Sequence, residues 1–318
     1  MATTRVWVIT GVSSGLGLAL ALHVAAQGDK VIGTVRSLAK FPEELKQAGA
    51  FPLIVDFSDP DEVLRKAGQD AIALLGKVDV LVNNAANGVV SPIEELEMKD
   101  LRMQFQTNFF GLLAFTQPFI AHFRTRRTGH ILNVSSYLGS IPFGGWGAYG
   151  ATKAALDLLS DVLSLELKLF GVRVITIPLG YFASSFLSNV AARDFTAEGN
   201  SSGLSQVYTD PMTQGYDLVR HTHQIHVERK QVGDSEKYAR RVYEIVTGTG
   251  LAEGLTAHST GDGKWEGPWE FNHATFGTDT YVRLKERWTL LEENLHAFEA
   301  VTTSTDADEE RLQYFARG

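Results

Sequence analysis

An α/β fold built on a doubly wound parallel sheet is what this sequence predicts, and three observations carry the prediction. Short β-branched runs alternate with longer stretches whose apolar residues recur at helical spacing. The strand runs are apolar nearly throughout, as expected where helices cover both faces of a parallel sheet. A glycine-rich turn, "TGVSSGLG", follows the first strand directly. Strands separated by helices in this rhythm form right-handed βαβ units.

The elements follow in order. "RVWVIT" opens the sheet, and "LGLALALHVAAQG" reads as the first helix, stopped at Gly28. "KVIGTV" and "FPLIV" supply the second and third strands. Asp59, Pro60 and the acidic pair Asp61–Glu62 mark a helix start, and Gly76 marks its end. "VDVLVN", "HILNV" and "VRVITI" complete six strands, so the sheet-forming core spans about residues 5–178. Beyond Pro178 the rhythm breaks into a stretch rich in Ser, Thr, Gly and Asp. "SEKYARRVYEIVTG" then reads as a helix, and "TAHSTGDGKWEGPWEFNHATFG" as a loop. "TDTYVRLKERWTLLEENLHAFEAV" is amphipathic, and residues 301–318 form an acidic tail expected to be mobile. No repeat and no long linker divides the chain. We expect one domain over 1–318, with residues 179–300 forming a cap over a substrate site.

Composition narrows the function. The 318-residue chain is 44% hydrophobic and 21% charged, an ordinary globular balance. It has no cysteine, hence no disulfide, thiolate nucleophile or Cys-ligated zinc. A formal charge of −8 disfavours nucleic acid and anionic membranes as partners. "MATTRVWVITG" enters a strand at once, without the apolar stretch of a signal peptide, and no run approaches the roughly 20 apolar residues of a membrane span. A cytoplasmic protein is expected.

Two motifs carry chemistry. Gly11, Gly15 and Gly17 sit between a strand and a helix, where free N–H groups and the positive helix end suit a phosphate. Tyr149 and Lys153 in "GAYGATKAAL" are four residues apart on a helix, so phenol and ammonium can reach one target together. The spacing G-x-x-x-G-x-G resembles that of the short-chain dehydrogenase/reductase family. Further motifs agree with the resemblance, in order and spacing. "VNNAAN" is similar to the family's Asn-Asn-Ala-Gly signature, with Ala86 where glycine is usual. "QTNFFG" supplies Asn108, and "NVSSYLG" supplies Ser136, thirteen residues before Tyr149.

The resemblance implies a Rossmann-like fold and an oxidoreductase that interconverts a ketone or aldehyde with an alcohol, and the aromatic-rich cap suggests a fairly large apolar substrate. Tyr149 is then the general acid or base, its pKa lowered by Lys153 and the positive nicotinamide ring together, while Lys153 also holds the nicotinamide ribose. Ser136 orients the substrate oxygen, and Asn108 binds a water that relays protons. Ser13, Ser14, Leu16 and the three glycines surround the phosphates, Asp56 approaches adenine, and Asn84 and Ala85 approach the adenosine ribose. Gly180, Phe182 and Ser184 flank the nicotinamide. The second strand ends "GTVRS" with no carboxylate, and Arg36 suits a 2′-phosphate, so NADP(H) is the expected cofactor. "PLGYF" departs from the family's Pro-Gly step, with Leu179 in place of proline, which leaves the backbone path beside the nicotinamide open. A homo-oligomer, dimer or tetramer, is implied.

Other readings compete. The fold can be recruited for isomerisation or cyclisation, or can sense NADP(H), although a sensor needs no activated phenol. His221, His223 and His226 in "HTHQIH" lack a carboxylate to complete a shell, and no metal is expected. Trp265, Trp269 and Phe271 pack a core or wall an apolar pocket. On the second reading their loop lies at the carboxyl ends of the strands and closes over substrate.

Overall fold

The computed structural model describes residues 4–182, 184, 186, 228, 231–255, 257–259 and 265–304. Six parallel strands form one sheet in the order β3-β2-β1-β4-β5-β6. They are β1 (Val6–Ile9), β2 (Lys30–Val35), β3 (Phe51–Ile54), β4 (Val80–Asn83), β5 (Gly129–Ser136) and β6 (Val172–Leu179). The order reverses direction between β1 and β4, which opens a crevice at the carboxyl ends of those two strands.

The unbroken apolar strands are explained by two cores, one on each face. Trp7 and Ile9 of β1 point to a core shared with Leu20, Ala21 and Val24 of α1 (Gly15–Ala26). Val6 and Val8 point the other way, to Phe115, Phe119 and Phe123 of α5 (Gly111–Arg126) and Leu64 of α3 (Asp61–Leu75). Between α1 and α3 lies the short α2 (Glu43–Gln47). Asp61 and Glu62 stand in the first turn of α3, and Gly76 ends it in a left-handed conformation at φ 74°, as read from the sequence. The helix α4 (Met98–Phe105) runs through a π turn at Gln106–Phe110 into α5, and α6 (Gly147–Lys168) follows β5.

The core does not stop at residue 178. The helix α7 (Ser235–Thr247) buries Tyr238, Val242 and Val246 against α1, and Trp7 stacks on Tyr243 with ring centroids 5.7 Å apart. A short ribbon, β7 (His258–Ser259) with β8 (Trp265–Glu266), comes next. Residues 272–276 then run parallel to β6, bridging Thr176 to His273 and Leu179 to Phe276. The Thr176 N–H donates to Asn272 O at 2.8 Å, and the Phe276 N–H donates to Pro178 O at 3.0 Å. The helix α8 (Thr278–Ala297) buries Thr280 and Leu284, and α9 (Glu299–Thr303) ends the described chain.

This arrangement corrects one expectation. Trp265 and Trp269 are in contact, 4.9 Å between centroids, but Trp265 also packs on His130 at 5.1 Å and Arg173 lies over Trp269 at 5.7 Å. The Arg173 guanidinium donates to Trp269 O and Phe271 O. His130 and Arg173 pair at the amino ends of β5 and β6, six residues before Ser136 and Leu179, so about 20 Å from the carboxyl ends. The tryptophans therefore sit at the opposite end of the sheet from Tyr149. The reason is topological: residues 272–276 run parallel to β6, so the loop feeding them must arrive where β6 begins.

Candidate functional site

The turn after β1 is built around Thr10 and Asn84. The Thr10 hydroxyl accepts the N–H groups of Asn84 and Ala85, both at 2.8 Å, and the Asn84 amide donates to Thr10 O at 2.8 Å. The "TG" and "NNA" turns are thus locked together. Gly11 has φ 72°, and a Cβ there would lie 3.1 Å from the Ala85 backbone, so only glycine suits the position. Gly17 does another job. A Cβ at Gly17 would lie 2.4 Å from Gly11 O and 2.6 Å from the Asn84 amide nitrogen, so this glycine lets α1 pack onto the turn and does not line the cleft. The N-cap residue Ser14 makes no side-chain capping hydrogen bond to α1, and Gly15 and Leu16 at its start line the cleft with Ser13 and Ser14.

The cleft itself has a volume of ≈ 700 Å³ and is continuous. At one end lie the glycine turn, Arg36, Lys40 and Asp56. The Ser58 hydroxyl donates to Asp56 at 2.7 Å and its N–H at 3.0 Å, which together hold that carboxyl below its usual range. At the other end lie Ser136, Tyr149, Lys153, Gly180, Phe182 and Ser184, with Asn84 and Ala85 between. Nearly the whole predicted set is brought to one groove. Lys40, Gln104, Trp146, Tyr181 and Phe186 join it without having been singled out from the sequence. Lys40 could have been, since it follows Arg36 by one turn's spacing.

Asn108 is buried behind the wall. Its carbonyl oxygen accepts the Asn87 N–H at 3.0 Å, and its amide donates to Asn87 O at 2.9 Å and to the Thr152 hydroxyl at 3.2 Å. The π turn that carries it widens the helix at this contact, a common device at functional sites. Another buried relay, also missed in the sequence, ties the surrounding elements. Asn83 donates to Asn133 at 2.8 Å and to Thr116 at 3.0 Å, and Asn133 donates to Ser160 at 2.7 Å.

Tyr149 and Lys153 project from the first turns of α6, and both are buried. Lys153 Nζ lies 5.6 Å from the Tyr149 ring centre and donates to Val134 O at 2.8 Å. Burial pushes the ammonium down to about 8, with Asp157 opposing. Burial also pushes the Tyr149 phenol up, despite the Ser136 hydroxyl pulling it down, and Asp157 adds to the rise. Trp146 packs edge-on against Tyr149 at 5.6 Å, and Phe186 packs at 5.3 Å, so an aromatic wall surrounds the phenol.

Leu179 causes no break. It pairs with Ser136 as the last residue of β6, and the Gly180 N–H donates to Phe276 O at 3.1 Å. The candidate metal ligands His221, His223 and His226 lie outside the described residues, as do most of residues 183–230 and the tail from 305. Among the described residues no helix is long and apolar enough to cross a membrane.

A strand–glycine turn–helix entering a groove that ends at a Ser, Tyr and Lys matches what comparison with known proteins returns. The short chain dehydrogenase model matches residues 5–194. The chain belongs to the short-chain dehydrogenase/reductase family. Members bind a nicotinamide cofactor, and the left-handed Gly11 and Gly15, the helix start that the Ser14 side chain does not cap and the length of the groove suit a dinucleotide. The chain is 32% identical over 182 residues to oxidoreductase BOA17 of Botryotinia fuckeliana, covering 56% of this chain and 65% of that protein. It is 30% identical over 215 residues to a 3-ketodihydrosphingosine reductase of Bacteroides thetaiotaomicron, covering 68% and 76%. A crystal structure of a short-chain dehydrogenase from Streptomyces avermitilis superposes with a TM-score of 0.76 at 28% identity, covering 96% of this chain and 100% of that one. The chain is an oxidoreductase of this family.

Proposed function

We propose that this oxidoreductase is an NADP(H)-dependent carbonyl reductase, or alcohol dehydrogenase in reverse, for a fairly large, neutral, apolar substrate. The observation that carries the proposal is the single groove with Arg36 and Lys40 at one end and Ser136, Tyr149 and Lys153 at the other. Two cations and no carboxylate at the end of β2 suit a 2′-phosphate. The nicotinamide, when bound, supplies or accepts a hydride.

The remaining chemistry belongs to the chain. Ser136 donates a hydrogen bond to the substrate oxygen and orients it beside Tyr149. Tyr149 gives the proton that converts the developing alkoxide to alcohol, or removes it in the other direction. A phenol held protonated by burial suits the reducing direction. Lys153 holds the nicotinamide ribose and places a positive charge near the phenol. Asn108 acts by holding Asn87, which lines the groove. Trp146, Phe186, Val89 and Met103 give the substrate end an apolar lining, and among the described residues Lys153 is its one cation.

The working assembly is a homo-oligomer. Leu158, Val162, Leu165 and Leu169 are exposed at i, i+4, i+7 and i+11 along α6 and its C-cap, a greasy stripe suited to a second copy. Incubating the purified protein with a panel of ketones and aldehydes while following NADPH absorbance tests the activity. Turnover of apolar ketones with NADPH supports the proposal, and an absence of turnover across the panel contradicts it.

A further inference from the structure

Asp157 stands one helical turn beyond Lys153, so the two side chains share a face of α6. That face is turned inward. The Asp157 carboxyl is half-buried between α6 and the 3-10 turn Tyr137–Gly139, and Gly139 makes the room: a Cβ there would lie 2.6 Å from Oδ2. Its Oδ1 is buried, and the Ser135 hydroxyl is placed to donate to the carboxyl. A carboxyl in such a place is costly unless a charge or donor compensates it.

Few groups face it. Lys153, Tyr149 and Asp161 approach from α6 itself, the Ser135 hydroxyl from β5, and His273 from the segment beside β6. His273 already has a carboxylate, since its Nε2 lies 2.7 Å from Asp161 Oδ1, which also accepts the Asn272 amide at 3.0 Å. Lys153 has none within ion-pair distance among the described residues, and its ammonium donates to the neutral Val134 carbonyl. The half-buried carboxyl and the buried ammonium are each the natural complement of the other.

We propose that Asp157 is a positioning residue for Lys153, a half-buried countercharge that keeps the ammonium protonated beside Tyr149. The proposal rests on the reading of Tyr149 and Lys153 as the proton-transfer pair. Burial raises Asp157 to about 6, with Ser135, then Lys153 and His273, pulling down and Asp161 pushing up, so the carboxyl is ionised at neutral pH. Burial lowers Lys153 to about 8, and Asp157 is the influence that raises it. Without that charge the lysine loses its proton at lower pH. The phenol, relieved of a negative neighbour, loses its proton earlier too. Both changes move the alkaline limit of reduction the same way.

The test is a pH titration of lysine Cε signals by NMR on the full chain labelled with [13C]lysine and free of cofactor, with the Lys153 signal identified by its loss in Lys153→Arg. In Asp157→Asn the Lys153 midpoint is expected to fall by about one pH unit, the low end for a lost nearby opposite charge, and Asp157→Glu should restore it. The alkaline limb of the pH–kcat profile for reduction should move down with it. An unchanged Lys153 midpoint in folded Asp157→Asn overturns the proposal. Should that variant not fold, the wild-type Lys153 curve decides: a minor second inflection near the Asp157 titration supports the coupling, and a single-step curve overturns it. Full turnover by Tyr149→Phe would remove the proton-transfer reading without altering either titration curve, so the two failures are told apart.

Discussion

The Tyr181 N–H donates to Asp279 Oδ2 at 2.9 Å, and the same carboxylate fills the space that a side chain at Gly180 would need. A Cβ on Gly180 would lie 2.3–2.5 Å from the Asp279 carboxyl atoms. The first turn of α8, 98 residues away in the chain, thereby shapes the floor of the groove beside β6. Asp279→Ala should cost about 0.5–1.5 kcal/mol of stability, the net value of one hydrogen bond to a part-buried N–H. It should also weaken NADPH binding, because Gly180 and Tyr181 line the groove. Thermal unfolding and a fluorescence titration with NADPH check both. A variant unchanged in both would show that the contact is incidental.

The cofactor assignment turns on the two cations after β2. Arg36→Ala should weaken NADPH binding by about 1–3 kcal/mol, the value of a charge-assisted hydrogen bond, and leave NADH binding nearly as it was. Adding Lys40→Ala should deepen the loss for NADPH alone. Paired titrations with the two nucleotides measure this, and equal losses for both would contradict NADP preference.

Placing Trp265 and Trp269 at the amino ends of β5 and β6 changes what their removal should do. Trp265→Ala and Trp269→Ala should each lower stability by about 1–3 kcal/mol through lost apolar burial, both side chains being half-buried. KM for any substrate should stay within experimental error. Thermal melts alongside steady-state kinetics test the pair. A raised KM with an unchanged melting temperature would instead return the loop to the substrate site.

The exposed α6 stripe predicts the assembly. Sedimentation of the wild type should show a species larger than the 34.9 kDa chain at micromolar concentration. Leu165→Glu, which places a charge in the middle of the stripe, should shift the protein to monomer. A wild-type protein that sediments as a monomer would remove the stripe's proposed role.

Much of this molecule was legible because its signals are local. Strands covered on both faces must be apolar, so "RVWVIT" and "VRVITI" declare themselves, and Gly28 and Gly76 stop helices by the conformations only glycine adopts readily. The groove's two ends were legible for the same reason, since a glycine turn and an i/i+4 Tyr–Lys pair are short motifs. What escaped depends on distant pairing. Nothing local tells that residues 272–276 lie along β6, and without that register the Trp265 loop is put at the wrong end of the sheet. Asn83, Thr116, Asn133 and Ser160 look unremarkable one by one and become a relay only when four elements meet. The burial of the Tyr149 phenol is a tertiary quantity, and the spacing of Tyr149 and Lys153 does not show it.

The proton donor is the centre of the proposed chemistry, and Tyr149→Phe isolates it by deleting one hydroxyl from an otherwise intact aromatic wall. The decisive measurement is turnover of an accepted ketone by this variant, with NADPH affinity measured on the same preparation. NADPH should bind as in the wild type while kcat falls at least the roughly 10²–10⁴-fold typical of a lost general acid. Near-normal reduction by Tyr149→Phe with NADPH bound would contradict the proposed role of Tyr149 and the mechanism built on it.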